Sequence, residues 1–220
     1  WIVVYLQKQK PSLLKKTFLL FAIISLAFKL QAQDSYPYTA SEVFIGQTTP
    51  PNTGFPETNL QTAFFLSLGQ LNQDTESDWM SRLGFPKTGI ALGITDLGNS
   101  KLVGQTYTVL PYAEFNLFSK KTNRIHLNVG LGATYVTRTF DMEKNRFNRI
   151  TTEKINWAFR SFIYYDVWKS PQVDWRIGLG YSHFSNGHTG LPNQGSNSFL
   201  LSLFAFLNGF ILLAKRISLA

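Results

Sequence analysis

Cysteine is absent from this chain of 220 residues, which excludes a disulfide framework and any metal site built on cysteine ligands. Charged residues are also scarce, at 15% of the sequence. The formal net charge is +8, but five lysines precede the first acidic residue, Asp34, and only +3 remains for the rest of the chain. So small and scattered an excess does not indicate nucleic acid binding. The length suits one domain.

The apolar run near the N-terminus, residues 17–28, is shorter than the about 20 residues that a membrane-spanning helix needs. Lys15 and Lys16 precede it, and the small-residue pattern at 30–32 fits a signal-peptidase site. We therefore predict an N-terminal extension and cleaved secretory signal over residues 1–33, followed by one domain over 34–220. An uncleaved anchor and a buried helix are the alternatives.

A strong helical pattern is missing after residue 33, because no segment there combines sufficient length with a period of 3.6 residues. Strand-like runs rich in aromatic and β-branched residues take its place, separated by polar or breaker-rich turns such as 50–54, 119–123 and 170–171. We predict eight strands. They cover residues 41–48, 61–70, 87–95, 103–118, 124–139, 154–169, 172–185 and 196–207.

The later strands alternate between an apolar face and a face that is polar, small or charged. In the fifth strand the odd positions are apolar, from Ile125 to Tyr135, while the even ones include His126, which we predict to be a hydrogen-bonding residue inside the barrel. The polar face of the sheet also bears charged residues that would neutralise one another in a lumen. These are Glu114, Arg160, Asp166 and Arg176.

Strand length distinguishes a membrane barrel from a soluble sandwich, which also alternates. Several predicted strands exceed the about 9–11 residues that cross a bilayer, and a sheet in lipid must close on itself to satisfy its backbone. We predict an all-β fold, an eight-stranded antiparallel transmembrane β-barrel whose interior is filled by side chains. A soluble secreted β-barrel is the alternative.

The seventh strand ends in polar residues on its apolar face. Ile177, Leu179 and Tyr181 share their parity with His183 and Ser185, so the pair is predicted to face lipid, where polar groups are costly. A serine hydroxyl becomes a nucleophile when a base such as histidine lies within hydrogen-bond reach. In the eighth strand Asn197 has the outward parity and is expected beside His183.

The residues around this pair form a longer pattern: His183-Phe-Ser185-Asn186, then Pro192-Asn193-Gln-Gly195, then Asn197. This pattern resembles the lipid A 3-O-deacylase (PagL) family of outer-membrane esterases, also described as acyloxyacyl hydrolases. The family motif is His-x-Ser-Asn, a short loop, Pro-Asn-x-Gly, and a glutamate two residues after the glycine.

The resemblance implies an esterase in the bacterial outer membrane that removes an ester-linked acyl chain from lipid A of lipopolysaccharide. It implies Ser185 as nucleophile and His183 as base, with Asn186 and Asn193 holding the oxyanion or the loop. No cofactor is implied, and His183 with His188 does not form a convincing metal site.

Asn197 departs from the family, which has glutamate at this position. An amide oxygen can accept the imidazole N–H but adds no negative charge, so we expect a weaker triad that Asn197→Glu would improve. A barrel that has lost activity, a non-catalytic outer-membrane barrel with a structural or adhesion role, and a soluble lipid-binding barrel remain alternatives.

Overall fold

The strands close into one barrel in the computed structural model, which describes residues 35–72, 78–118 and 124–207. Each strand pairs antiparallel with the next, and the first pairs with the last. The strands are β1 Ser35–Thr49, β2 Gln61–Asn72, β3 Lys87–Asp96, β4 Gln105–Asn116, β5 Ile125–Val136, β6 Ile155–Lys169, β7 Val173–Ser185 and β8 Ser196–Leu207. One short helix, α1 Asp78–Arg82, lies between β2 and β3.

The eight predicted strands are confirmed, and most bounds agree within a few residues. The largest difference is in β1, which begins at Ser35 rather than at 41. Pairing with β2 extends that far, since Ser35 lies opposite Asn72, and Tyr38 is buried in the interior. The predicted signal segment, the turn at 119–123 and the C-terminal tail after 207 lie outside the described residues. Within the described ranges, no helix has the length and apolarity to cross a membrane.

The barrel has two different ends. At the end that we call the loop end, the connections are residues 50–60, 97–104, 137–154 and 186–195. At the opposite end, the turn end, they are residues 73–86, 117–124 and 170–172. β7 ends and β8 begins at the loop end, and this places the conspicuous polar motif there.

The outer surface is apolar, as the alternation predicts. Large apolar side chains are exposed on every strand around the barrel. They include Val43, Ile45, Phe64, Leu66, Leu68, Ile90, Leu92, Ile94, Tyr107, Val109, Leu131, Tyr135, Ile163, Tyr165, Ile177, Leu179, Leu201 and Leu203. So wide an exposed apolar surface is not tolerated in water by a soluble monomer.

The interior is filled by side chains. Near the middle, Phe44 packs edge-on against Phe65 and Phe162, and Tyr164 lies beside Phe162. The inward position of Tyr164 agrees with the alternation of β6, whereas the alternation did not predict the inward aromatic residues of β1, β2 and β8, such as Phe44, Phe65 and Phe204. They close the centre of the barrel, as expected for eight strands.

Buried charges lie closer to the turn end. Arg176 contacts Glu114 at 2.9 Å and Asp166 at 2.7 Å, and the imidazole Nε2 of His126 lies 2.9 Å from Asp166. Lys87 lies 2.7 Å from Glu114. The predicted mutual neutralisation of lumen charges is confirmed for Glu114, Asp166 and Arg176, whereas Arg160 lies 3.5 Å from Glu42 instead. The interior position of His126 is confirmed as well. Charges of this kind are tolerated in an interior only when they are paired.

Candidate functional site

Strand register brings the polar motif together on the outer surface at the loop end. His183 and Ser185 are two residues apart on β7 and therefore project from the same face. Pairing of β7 with β8 sets His183 directly opposite Asn197. Pairing with β6 sets Phe159 beside His183 and Trp157 beside Ser185.

The imidazole of His183 bridges the other two residues. Its Nε2 lies 3.2 Å from Ser185 Oγ, and its Nδ1 lies 2.8 Å from Asn197 Oδ1. Because an amide oxygen only accepts hydrogen bonds, Nδ1 carries the hydrogen, and Nε2 is left as an acceptor for the serine O–H. This is the arrangement in which a histidine can remove the proton from a serine.

Tyr181 is a fourth member of this group of polar side chains. Its parity predicts an outward position, but the sequence alone assigns it no role. Its hydroxyl donates a hydrogen bond to the same Asn197 Oδ1. Its ring is held by Phe199, with ring centroids 5.5 Å apart. The available signal was the parity of positions 181, 183 and 185, which puts all three side chains on one face.

Gly195 packs directly against His183 and Ser185. Its φ is 67°, a left-handed conformation that favours glycine. A Cβ at this position would lie 3.1 Å from His183 Cε1 and 3.3 Å from Ser185 Cβ. The backbone N–H of Gly195 donates to the carbonyl of Ile150 at 2.9 Å, so the loop is tied down while its glycine leaves room for the imidazole.

Asn186 is buried and serves the loop that follows Ser185. Its Nδ2 donates to Thr152 Oγ1 and to the carbonyl of Gly190, both at 3.0 Å, and its Oδ1 accepts the N–H of His188 at 2.9 Å. Its backbone N–H donates to Asn193 Oδ1 at 3.2 Å. Both asparagines of the motif therefore stabilise the β7–β8 loop, and the side-chain hydrogens of Asn186 are already committed.

The site is surrounded by apolar side chains on the outer surface of the barrel, and on the lumen side it has only a small cavity behind it. Trp157 is 66% exposed beside Ser185, and Phe199 is exposed on β8. On the lumen side, behind His183, there is a cavity of about 30 Å³, which holds only a few waters. An extended apolar ligand therefore has access to Ser185 from the outer surface. Among the described residues, no group of three or more His, Asp or Glu is placed to hold a metal ion.

The closed barrel with an apolar exterior defines the class of outer-membrane-type β-barrels. Within that class, the family model for lipid A 3-O-deacylase (PagL) matches residues 68–205, and the chain belongs to this family. The match contains the whole constellation from Tyr181 to Asn197.

Two solved structures match the chain at low sequence identity. The crystal structure of the outer-membrane enzyme PagL matches with a TM-score of 0.50 and 15% identity, covering 75% of this chain and 97% of that one. The crystal structure of neisserial surface protein A (NspA) matches with a TM-score of 0.49 and 10% identity, covering 80% of this chain and 99% of that one. No curated protein matches the chain.

Proposed function

We propose that this protein is an outer-membrane esterase that removes an ester-linked acyl chain from lipid A. The observation that carries the proposal is the imidazole of His183, which joins Ser185 Oγ and Asn197 Oδ1 on the outer surface of the barrel. A polar set of this kind is costly against lipid unless it has a use. Membership of the lipid A 3-O-deacylase family supports the substrate class.

The position of the site along the barrel agrees with a substrate in the outer leaflet. Outer-membrane barrels have short turns on the periplasmic side and longer loops on the cell surface. The longest connection of this chain, residues 137–154, is at the loop end, where Ser185 lies. In this orientation, we expect Ser185 to lie on the outer-leaflet side of the barrel, near the level at which acyl chains are joined to the headgroup of a lipid.

The proposed reaction has two halves. Ser185 Oγ attacks the ester carbonyl carbon while its proton moves to His183 Nε2. The tetrahedral intermediate then collapses, the bond to the sugar oxygen breaks, and that oxygen takes the proton from Nε2. Water attacks the acyl-enzyme by the same route, which releases the fatty acid and restores Ser185.

Two donors of the loop that follows Ser185 are our candidates for holding the developing oxyanion. Among the contacts of the described residues, neither the N–H of Gly187 nor the Nδ2 of Asn193 has a hydrogen-bond partner. Gly187 follows Ser185 by two positions in a left-handed conformation, with φ 65°. In other hydrolases, removal of one oxyanion donor lowers the rate by about 100- to 1000-fold.

The test is mass spectrometry of lipid A from cells that express the wild type or Ser185→Ala. Loss of one acyl chain with the wild type, and its retention with Ser185→Ala, is the expected result. Ser182→Ala is the matched control, because Ser182 lies on the same strand but lines the lumen cavity. If Ser185→Ala still shortens lipid A, the nucleophile is misassigned. If the wild type leaves it intact, the protein is a non-catalytic barrel.

A further inference from the structure

We propose that Tyr181 is a positioning residue whose hydroxyl orients the Asn197 amide and thereby sets the tautomer of His183. This inference rests on the proposed function and deepens it. The starting observation is that one oxygen, Asn197 Oδ1, accepts hydrogen bonds from both the Tyr181 hydroxyl and His183 Nδ1.

A neutral amide in the third position of a triad has an ambiguity that a carboxylate lacks. A carboxylate presents an oxygen to the imidazole whichever way it turns. An amide can present either its oxygen or its NH₂ group. If the NH₂ faces Nδ1, the imidazole hydrogen moves to Nε2, and Nε2 no longer accepts the serine proton. In a serine protease, the change from aspartate to asparagine lowers kcat about 10⁴-fold through such a wrong tautomer.

The Tyr181 hydroxyl favours the productive orientation. When the amide oxygen of Asn197 faces the imidazole, the O–H groups of Tyr181 and Ser185 and the N–H of His183 all have acceptors. With the amide reversed, the tyrosine oxygen accepts from the NH₂, and its own O–H then has no acceptor among the described neighbours. The serine O–H likewise loses its acceptor. An unpaired donor in an apolar setting is unfavourable, so the reversed orientation is disfavoured.

The tyrosine ring is itself held in place. Tyr181 lies opposite Phe199 in the β7–β8 register. This pair is two residues along the strands from the pair of His183 and Asn197, so both pairs project from the same face. The tilted packing of the two rings sets the hydroxyl diagonally across from Asn197. Removing only the hydroxyl therefore leaves the ring, and the apolar surface beside the site, unchanged.

The experiment measures hydrolysis of lipid A in detergent micelles by the purified full-length barrel. For Tyr181→Phe we expect kcat to fall by about 3- to 10-fold, the value of one neutral hydrogen bond, with KM unchanged. In an Asn197→Asp background, where both oxygens are equivalent, the same substitution should lower kcat by less than about 2-fold. Tyr165→Phe is the control, since Tyr165 lies on the outer face of β6 and pairs with Ile177.

Three results would overturn the inference. An equal loss in both backgrounds would show that the hydroxyl does not act through the amide. A rise in KM would show that it contacts substrate. A wild-type kcat for Tyr181→Phe would show that it has no role. The wild type and Ser185→Ala, assayed alongside, separate these results from failure of the proposed function. An inactive wild type or an active Ser185→Ala rejects the proposed function, whereas an active wild type with an inactive Ser185→Ala leaves only Tyr181 in question.

Discussion

The change of Asn197 to aspartate tests the proposed triad with the smallest possible perturbation. The side chain of Asn197 already places Oδ1 2.8 Å from His183 Nδ1. Aspartate keeps this length and replaces only the NH₂ group by an oxygen, whereas Asn197→Glu restores the family residue but adds a methylene. The variant therefore adds negative charge beside the imidazole with little change in geometry.

The expected gain follows from the hydrogen bond that changes. A neutral hydrogen bond contributes about 0.5–1.5 kcal/mol, and one to a charged group about 1.5–3 kcal/mol. The proton taken from Ser185 makes His183 an imidazolium in the transition state, so the extra stabilisation of about 1–1.5 kcal/mol acts mainly there. At about 1.4 kcal/mol per factor of ten, kcat should rise about 5- to 10-fold.

The assay is the initial rate of fatty acid release from lipid A in detergent micelles by the refolded barrel. The wild type, Asn197→Asp and Ser185→Ala are compared at equal folded fraction, measured by the change in gel mobility on heating. A rate for Asn197→Asp at or below that of the wild type, with Ser185→Ala inactive, would refute the role of Asn197 as the partner of the imidazolium.

Two further substitutions test separate parts of the structure. Gly195→Ala should lower the rate at least about 10-fold, because the added Cβ would lie 3.1 Å from His183 Cε1. Gly84→Ala is the control, since Gly84 also has a positive φ, 71°, but a Cβ there would meet nothing within 4 Å. Both variants therefore bear the same backbone cost of about 1–2 kcal/mol, and only Gly195→Ala crowds the imidazole. Equal rates for the two variants would contradict the role of Gly195. Arg176→Leu removes the cation that Glu114 and Asp166 share, although Lys87 stays beside Glu114 and His126 stays beside Asp166. Loss of two buried charged contacts should lower the free energy of unfolding in urea by about 3–5 kcal/mol. The exposed pair lost in Arg82→Leu should change it by less than about 1 kcal/mol. A small effect of Arg176→Leu would show that the buried charges are solvated.

Much of the barrel could be predicted because its signals are local. The two-residue period of a pleated strand is visible in neighbouring residues, and it placed Leu179 outside and Asp166 inside before any pairing was known. The interior aromatic residues of β1 and β2 were harder to predict. Phe44 and Phe65 face inward, yet each stands next to residues of similar apolarity, so the alternation there does not mark a face.

The candidate site likewise has some features that the local sequence sets and others that only the tertiary structure sets. His183 and Ser185 belong to one strand two residues apart, so the sequence by itself determined that they share a face, and their motif determined the family. Only the tertiary structure decided what surrounds them. Parity puts Tyr181 on the same face and predicts Asn197 beside His183, but the register of β7 against β8 decided that both Tyr181 and His183 bond to one oxygen of Asn197. The path of the loop brought Gly195 into contact with the imidazole. Register and loop path depend on contacts along the whole barrel, whereas parity depends only on the local backbone.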